Sequence, residues 1–154
     1  MEVLARRAVE ADAPYLQALG QQAATELAGL RGGPLLLKER AAEAGDSSGV
    51  GRGAFVALAE IEGVPVGYLE AKLLLLDEEA PYCRVTALYV EPDAREVGAG
   101  EALLAQLLRW AKEAGARGID VDVLPGAREA KSFLESAGFT TRRLSMYRPL
   151  HPSR

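Results

Sequence analysis

From residue 88 to residue 104 the chain reads Leu88-Tyr89-Val90-Glu91-Pro92-Asp93-Ala94-Arg95-Glu96-Val97-Gly98-Ala99-Gly100-Glu101-Ala102-Leu103-Leu104. Tyr89 and Val90 favour an extended backbone, and Pro92 ends that extension. From Leu103 onward, apolar residues return at the spacing of one helix face. This segment therefore predicts a strand, a glycine-containing turn and an amphipathic helix, in that order.

The two glycines of the segment, Gly98 and Gly100, lie where the predicted helix begins. The first N–H groups of a helix have no partner inside it, and they carry the positive end of the helix dipole. Residues without side chains let an anion approach these groups, and Arg95 adds a positive charge. The turn therefore predicts a diphosphate site, although two glycines at such a position can also do no more than form the turn.

Two better-known phosphate-binding motifs do not fit this turn. Leu103 occupies the place of the third glycine of a dinucleotide fingerprint. A P-loop needs Lys-Ser/Thr after its last glycine, whereas Gly100 is followed by Glu101-Ala102. Both nucleotide-binding classes are therefore excluded.

The remaining pattern, Arg95-x-x-Gly98-x-Gly100 after a strand, resembles the acetyl-coenzyme A (acetyl-CoA) signature of the GNAT superfamily of N-acetyltransferases. The resemblance extends along most of the chain, as far as the segment at 130–139. It implies the GNAT-like α/β fold: a mixed, mostly antiparallel central sheet with helices on both faces.

Apolar periodicity and turn residues divide the chain into elements that agree with this fold class, and we predict one domain over residues 1–154. Glu62-Gly63 is a hairpin signal between two of the strands. The predicted strands are 3–9, 54–61, 64–76, 82–90 and 119–123, followed by a hairpin or long edge strand at 139–150. The predicted helices are 12–30, 35–44, 100–114 and 128–137.

Composition narrows the class of protein further. The formal net charge of -4 argues against nonspecific nucleic-acid binding. The single cysteine, Cys83, cannot form an internal disulfide and is expected to be a packing residue. No segment is long and apolar enough for a signal peptide or a membrane span, so we predict a cytoplasmic protein without a membrane or nucleic-acid partner. The open edge of the predicted sheet is compatible with a homodimer.

The resemblance implies acetyl-CoA as co-substrate and no metal. The pantetheine arm would lie beside the strand before the turn, along backbone atoms of Leu88, Tyr89 and Val90. Arg95 would brace the loop or touch phosphate. The diphosphate would meet the backbone amides of Glu96, Val97, Gly98, Ala99, Gly100 and Glu101.

The resemblance also implies the reaction: direct transfer of acetyl to a primary amine of a small molecule, peptide or protein. The base is less evident, because the strand that carries a glutamate in some members has Arg84 here. We choose Asp122 over Asp120, which shares its strand face, to orient or deprotonate the amine. Tyr147 is a reserve proton donor.

Two positions depart from the family's usual pattern. Leu134 lies where members often carry a tyrosine that acts as the general acid, and leucine cannot donate a proton. Ala127 lies where they often carry asparagine, although Ser132 offers another hydroxyl to the cofactor arm. These departures motivate an alternative: a catalytically weak or inactive acyl-CoA-binding regulatory protein of the same fold. A purely structural interaction module is a third hypothesis. The acceptor loops would be 45–53 and 77–81.

Overall fold

The computed structural model describes residues 2–45 and 53–151. The predicted loop at 45–53 therefore lies mostly outside the described residues. The strands are β1 (Val3–Arg7), β2 (Ala54–Ile61), β3 (Val64–Leu74), β4 (Tyr82–Val90) and β5 (Ile119–Val121). The helices are α1 (Ala13–Ala28), α2 (Gly33–Gly45), α3 (Ala99–Glu113) and α4 (Arg128–Ser136), with short 3-10 turns at Glu10–Asp12 and Pro92–Ala94.

The five strands form one sheet in the order β1-β2-β3-β4-β5. The first four strands are antiparallel, and β5 lies parallel to β4. Glu62 (φ 50°) and Gly63 (φ 82°) both adopt the left-handed conformation, as a tight two-residue hairpin turn between β2 and β3 requires. The predicted mixed, mostly antiparallel sheet is confirmed.

Helices cover both faces of this sheet. On one face, α3 buries Leu103 and Leu107 against Phe55 and Leu69 of the central strands. Cys83 is fully buried in the same cluster, and burial raises the pKa of its thiol to about 11.

On the opposite face, Leu19 of α1 packs against Leu58, Tyr68 and Tyr89. The side chains of successive strand residues point to opposite faces, so each central strand contributes to both clusters. The α/β class with helices on both faces is therefore confirmed.

The end of the chain differs from the prediction. Helix α4 stops as predicted at Gly138 (φ 97°), where the Phe139 N–H donates a hydrogen bond to the Leu134 carbonyl (3.0 Å). The residues that follow form neither a hairpin nor an edge strand, because their backbone groups find no neighbouring strand to pair with. Their apolar side chains are exposed: Leu144 by 83%, Met146 by 96%, Tyr147 by 75% and Leu150 by 84%.

Three other strands end earlier than their patterns predict. β1 stops at Arg7, β3 at Leu74 and β5 at Val121. In the described part of the chain, none of the helices is long and apolar enough to cross a membrane.

Candidate functional site

The sheet opens between β4 and β5. These two strands pair only from Cys83–Ile119 to Val85–Val121, whereas β4 continues to Val90. In the ladder between β3 and β4, Glu70 faces Ala87 and Ala71 faces Val85, which leaves Thr86 as an extra residue. Such a bulge bends the strand that carries it, and here it lies where β4 separates from β5.

A groove of about 1510 Å³ runs through this opening. It is bordered by the end of β4, the residues after β5, α1, α2 and α4. Pockets for one drug-sized ligand typically measure about 300–1,000 Å³. The groove is therefore large enough for a long cofactor together with a second, smaller molecule.

The predicted cofactor strand forms one wall of the groove. Leu88, Tyr89 and Val90 all line it, and beyond Val85 this edge of β4 no longer pairs with β5. An unpaired strand edge presents N–H and C=O groups that an extended ligand can bind. One of these groups is already used, because the Arg95 Nε donates to the Val90 carbonyl (2.8 Å).

The turn that follows β4 exposes a run of backbone donors. In the described structure, none of the six N–H groups from residue 96 to residue 101 donates a well-formed backbone hydrogen bond, and the first such bond of α3 runs from Ala102 to Gly98 (3.0 Å). Gly98 has φ 96°, and a Cβ built there would have no atom within 4 Å. These donors and the open space beside Gly98 fit a diphosphate, and they coincide with the six amides proposed from the sequence.

The second glycine has a different neighbour. A Cβ at Gly100 would lie 3.2 Å from Cζ of Phe133, whose ring packs from α4 onto the start of α3. The missing side chain at this position is therefore needed for helix packing. Sequence reasoning considered ligand approach or a plain turn for Gly100 and missed this contact, since 33 positions separate the two residues.

Arg95 braces the turn, which was one of its two predicted roles. Besides the bond to Val90, its Nη2 donates to Glu26 of α1 (2.7 Å), and its guanidinium lies 5.7 Å from the centroid of the Tyr89 ring. The hydrogen bond to Glu26 raises the pKa of Arg95. Contact between Arg95 and a phosphate remains a prediction.

The two candidate aspartates occupy different environments. Asp120 accepts hydrogen bonds from the guanidinium of Arg142, one of them from Nε at 3.0 Å, and this contact lowers the pKa of Asp120. Asp122 is exposed and lines the groove close to Thr86. Of the two, Asp122 is thus the aspartate available to a ligand, and its catalytic role stays a prediction. Tyr147 lies in the exposed terminal segment and does not line the groove.

Of the two departures from the family's usual pattern, one has a structural role. Leu134 is buried, with 5% exposure, where α4 meets the body of the protein. Ala127 precedes the first turn of α4 and provides no side-chain cap. Ser132 is exposed and lines the groove.

Glu70 is one of the ionisable residues of the groove that sequence reasoning missed. It lies half-buried on β3, two residues from the buried Tyr68, and both side chains line the groove. Burial raises the pKa of the Glu70 carboxyl. The available signal was the single acidic residue inside a mostly apolar strand, Val64–Leu74, in which Lys72 is the other charged residue.

Comparison with known proteins places the chain in a family. The model of the acetyltransferase (GNAT) family matches residues 22–139. Because the match covers more than half of the chain, the chain belongs to the GNAT acetyltransferase family, and the predictions of the family and of an acetyltransferase are confirmed. Comparison with curated protein sequences found no significant match.

Solved structures with the same fold include several acetyltransferases. One is the aminoglycoside N-acetyltransferase AAC(6')-Iy in complex with the bisubstrate analogue CoA-S-monomethyl-acetylneamine (TM-score 0.70, 19% identity, covering 97% of this chain and 99% of that one). Another is a ribosomal-protein-alanine N-acetyltransferase from Brucella melitensis biovar Abortus 2308 (TM-score 0.68, 18% identity, coverage 97% and 100%). A third is an aminoglycoside acetyltransferase from an uncultured soil metagenomic sample, in complex with trehalose (TM-score 0.70, 19% identity, coverage 97% and 97%). At these identities the likeness shows the shared fold.

Proposed function

We propose that this protein transfers an acetyl group from acetyl-CoA directly to a primary amine of a small molecule, peptide or protein. The observation that carries the proposal is the run of six N–H groups at residues 96–101, which lies where the sheet opens beside β4 and donates no well-formed backbone hydrogen bond to any described residue. Proteins of similar fold include one solved with a CoA-based bisubstrate analogue and one that acetylates an alanine of a ribosomal protein, by its name. Both support acetyl-CoA and an amine as the two substrates.

In this proposal the bound cofactor supplies an activated acetyl thioester. The backbone of residues 88–90 pairs with its extended arm, and the N–H groups of residues 96–101 hold its diphosphate. A backbone N–H of Tyr89 or Val90 stabilises the developing oxyanion. Asp122 orients the amine or takes up its proton, directly or through water.

Two carboxylates oppose the diphosphate. Glu96 and Glu101 are exposed and line the groove beside the donor run. A solvated carboxylate several ångströms away costs on the order of 1 kcal/mol, whereas each hydrogen bond to a charged acceptor contributes about 1.5–3 kcal/mol. We therefore expect the cofactor to bind more weakly than it would without these acids.

The remaining partners follow from charge and surface. The net charge of -4 and the single cysteine support a cytoplasmic protein without a nucleic-acid or membrane partner. Leu144, Met146 and Leu150 of the terminal segment are each exposed, and burying them against a second copy would remove apolar surface from water. A homodimer is thus part of the proposal, and light scattering at several protein concentrations tests it.

Calorimetry with acetyl-CoA tests the cofactor site. We expect Gly98→Trp to abolish binding because the new side chain occupies the space beside the six donors. Gly115→Trp is the matched control: this residue also has a positive φ (72°), lies next to the other end of α3 and has open space around its Cβ position. Binding by Gly98→Trp as tight as that of Gly115→Trp would refute the proposed site.

The regulatory alternative is not favoured, because Leu134 has a packing role that explains its identity without a loss of turnover. A thiol-release screen against polyamines, amino acids, aminoglycosides and peptide N-termini decides between the two hypotheses. Turnover above the solution reaction excludes the alternative, whereas cofactor binding without turnover of any amine favours it.

A further inference from the structure

We infer that Glu70 receives the ammonium group of the acceptor and takes up its proton, as a catalytic residue that contacts the substrate. The inference rests on the proposed function and names the group on the acceptor side of the same groove. Of the two roles proposed for Asp122, this inference leaves it that of orienting the amine: Asp122 follows β5 and is exposed, whereas Glu70, on β3, takes up the proton.

The register of the sheet places Glu70 close to the cofactor strand. Glu70 pairs with Ala87, and two residues earlier Tyr68 pairs with Tyr89, whose backbone is proposed to meet the thioester end of the cofactor. Two residues along a strand span roughly 7 Å, and paired strands lie about 4.8 Å apart. A glutamate side chain extending into the groove can therefore reach a nucleophile positioned near Tyr89.

Alternation along β3 also fixes the face. Leu69 and Ala71 are buried in the cluster that α3 covers, whereas Tyr68 belongs to the cluster under α1. Glu70 shares the face of Tyr68 and lines the groove there together with Arg40 of α2.

Glu70 is half-buried, whereas the other described acids that line this groove are exposed: Glu26, Glu43, Glu96, Glu101, Asp122 and Glu129. Glu26 is paired with Arg95 (2.7 Å) and Glu43 with Lys72 (3.9 Å). Within residues 2–45 and 53–151, the Glu70 carboxylate has neither a hydrogen-bond donor nor an ion-pair partner. Partial burial disfavours the charged form of this carboxyl, and a cation that enters the groove compensates for this.

Burial raises the pKa of the Glu70 carboxyl, which makes this group a better proton acceptor at neutral pH than an exposed glutamate. Other charged or titratable groups face this part of the groove from the neighbouring elements and contribute to any pH dependence. They are Arg40 and Glu43 of α2, Tyr68 and Lys72 of β3, Tyr89 of β4, and Asp122 after β5.

The proton and electron balance of the step is complete with the two substrates. One proton moves from the acceptor ammonium to a carboxylate oxygen of Glu70. The nitrogen lone pair then forms the amide C–N bond as the thioester C–S bond breaks, and the departing sulfur takes up the second proton that the nitrogen loses. Glu70 returns its proton to solvent, so that each turnover releases one proton.

The test compares wild type with Glu70→Gln, which keeps the shape of the side chain and removes its charge. Glu62→Gln is the matched control, because it removes the same charge from the exposed hairpin before β3. Acetyl-CoA calorimetry on all three proteins comes first. If the wild type fails to bind acetyl-CoA, the proposed function is overturned. The next measurement does not require the cofactor, so it tests the role of Glu70 separately.

That measurement is carbon-detected NMR of glutamate carboxyl groups, with the Glu70 signal assigned by its loss in Glu70→Gln. We expect propylammonium to shift this signal and tetramethylammonium, which has no N–H donor, to leave it in place. A Glu70 signal that ignores propylammonium, or that responds equally to both cations, would overturn the inference.

For any amine that the wild type acetylates, kcat/KM is measured against pH. Glu70→Gln should lower kcat/KM at neutral pH by about 100-fold or more, the usual effect of losing a general base. It should also remove the rising limb of the profile, while Glu62→Gln leaves both unchanged. A profile of Glu70→Gln that parallels the wild type would count against the inference.

Discussion

β3 and β4 approach each other closely at Gly67. We expect this close approach to affect both the stability of the sheet and the position of residues 88–90, the proposed cofactor strand. A Cβ built on Gly67 would lie 2.7 Å from the carbonyl oxygen of Tyr89 and 3.0 Å from Cγ2 of Val90. Comfortable carbon contacts begin near 3.5 Å, so in Gly67→Ala the end of β4 has to move by roughly 0.5–0.8 Å. That movement carries residues 88–90 toward the gap where the cofactor arm is proposed to lie.

The expected cost follows from this overlap. Forcing extra atoms into a well-packed site typically costs about 1–3 kcal/mol, and a contact with backbone cannot be relieved by a side-chain rotation. We therefore expect Gly67→Ala to lose about 2 kcal/mol of unfolding free energy, which for a chain of this length lowers Tm by roughly 4–8 °C. Affinity for acetyl-CoA should fall as well, because the strand edge is displaced.

Thermal or urea unfolding, followed by calorimetry with acetyl-CoA, measures both effects. Gly118→Ala is the matched control: Gly118 lies outside the left-handed region, and its Cβ position has no atom within 4 Å. We expect this variant to be neutral or to gain up to about 1 kcal/mol, since alanine restricts the unfolded chain more than glycine does. If Gly67→Ala unfolds no more easily than Gly118→Ala, the close approach at residue 67 is wrong.

Two further predictions concern charges. Glu101→Gln should tighten binding of acetyl-CoA about fivefold, because it removes on the order of 1 kcal/mol of repulsion. Glu113→Gln, at the other end of α3, should leave the affinity unchanged. Equal affinities of the two variants, measured by calorimetry, would contradict this reasoning. The Arg6 guanidinium and the Val9 N–H hold the pKa of buried Asp12 at about 2, below its ordinary 3.8. Because the folded-state pKa is the lower one, this stabilisation is present above pH 3.8 and is lost as the pH falls toward 2. We therefore expect the melting temperature of wild type to fall more steeply across this window than that of Asp12→Asn. Equally steep falls would argue against the prediction.

Local sequence signals were sufficient for much of the fold. The bounds of β2 and β4 match their predicted ranges, because β-branched and apolar runs there end at turn residues. The start of α3 lies within one residue of its prediction, with the left-handed Gly98 before it. Four of the six donors, the N–H groups of residues 98–101, follow from the same local geometry, since the first turn of any helix lacks internal acceptors, and the other two belong to the turn before α3.

The terminal segment shows where local signals fail. Its alternating apolar residues have the composition of a strand, but a strand also needs a neighbour, and β5 ends after three residues. Extended backbone without a partner makes no ladder, however favourable its side chains are.

The sequence carried the order of the elements, the glycine turn and its run of donors, since these depend on residues a few positions apart. Folding in three dimensions settled which groups meet: Glu26 reaches Arg95 across 69 positions, Phe133 packs on Gly100, and Glu70 is half-buried with no partner among the residues that the structure describes. The physical reason is that backbone conformation responds to short-range sterics and hydrogen bonds. Ion pairing, desolvation and helix packing depend on distances that exist only after the sheet and helices have come together.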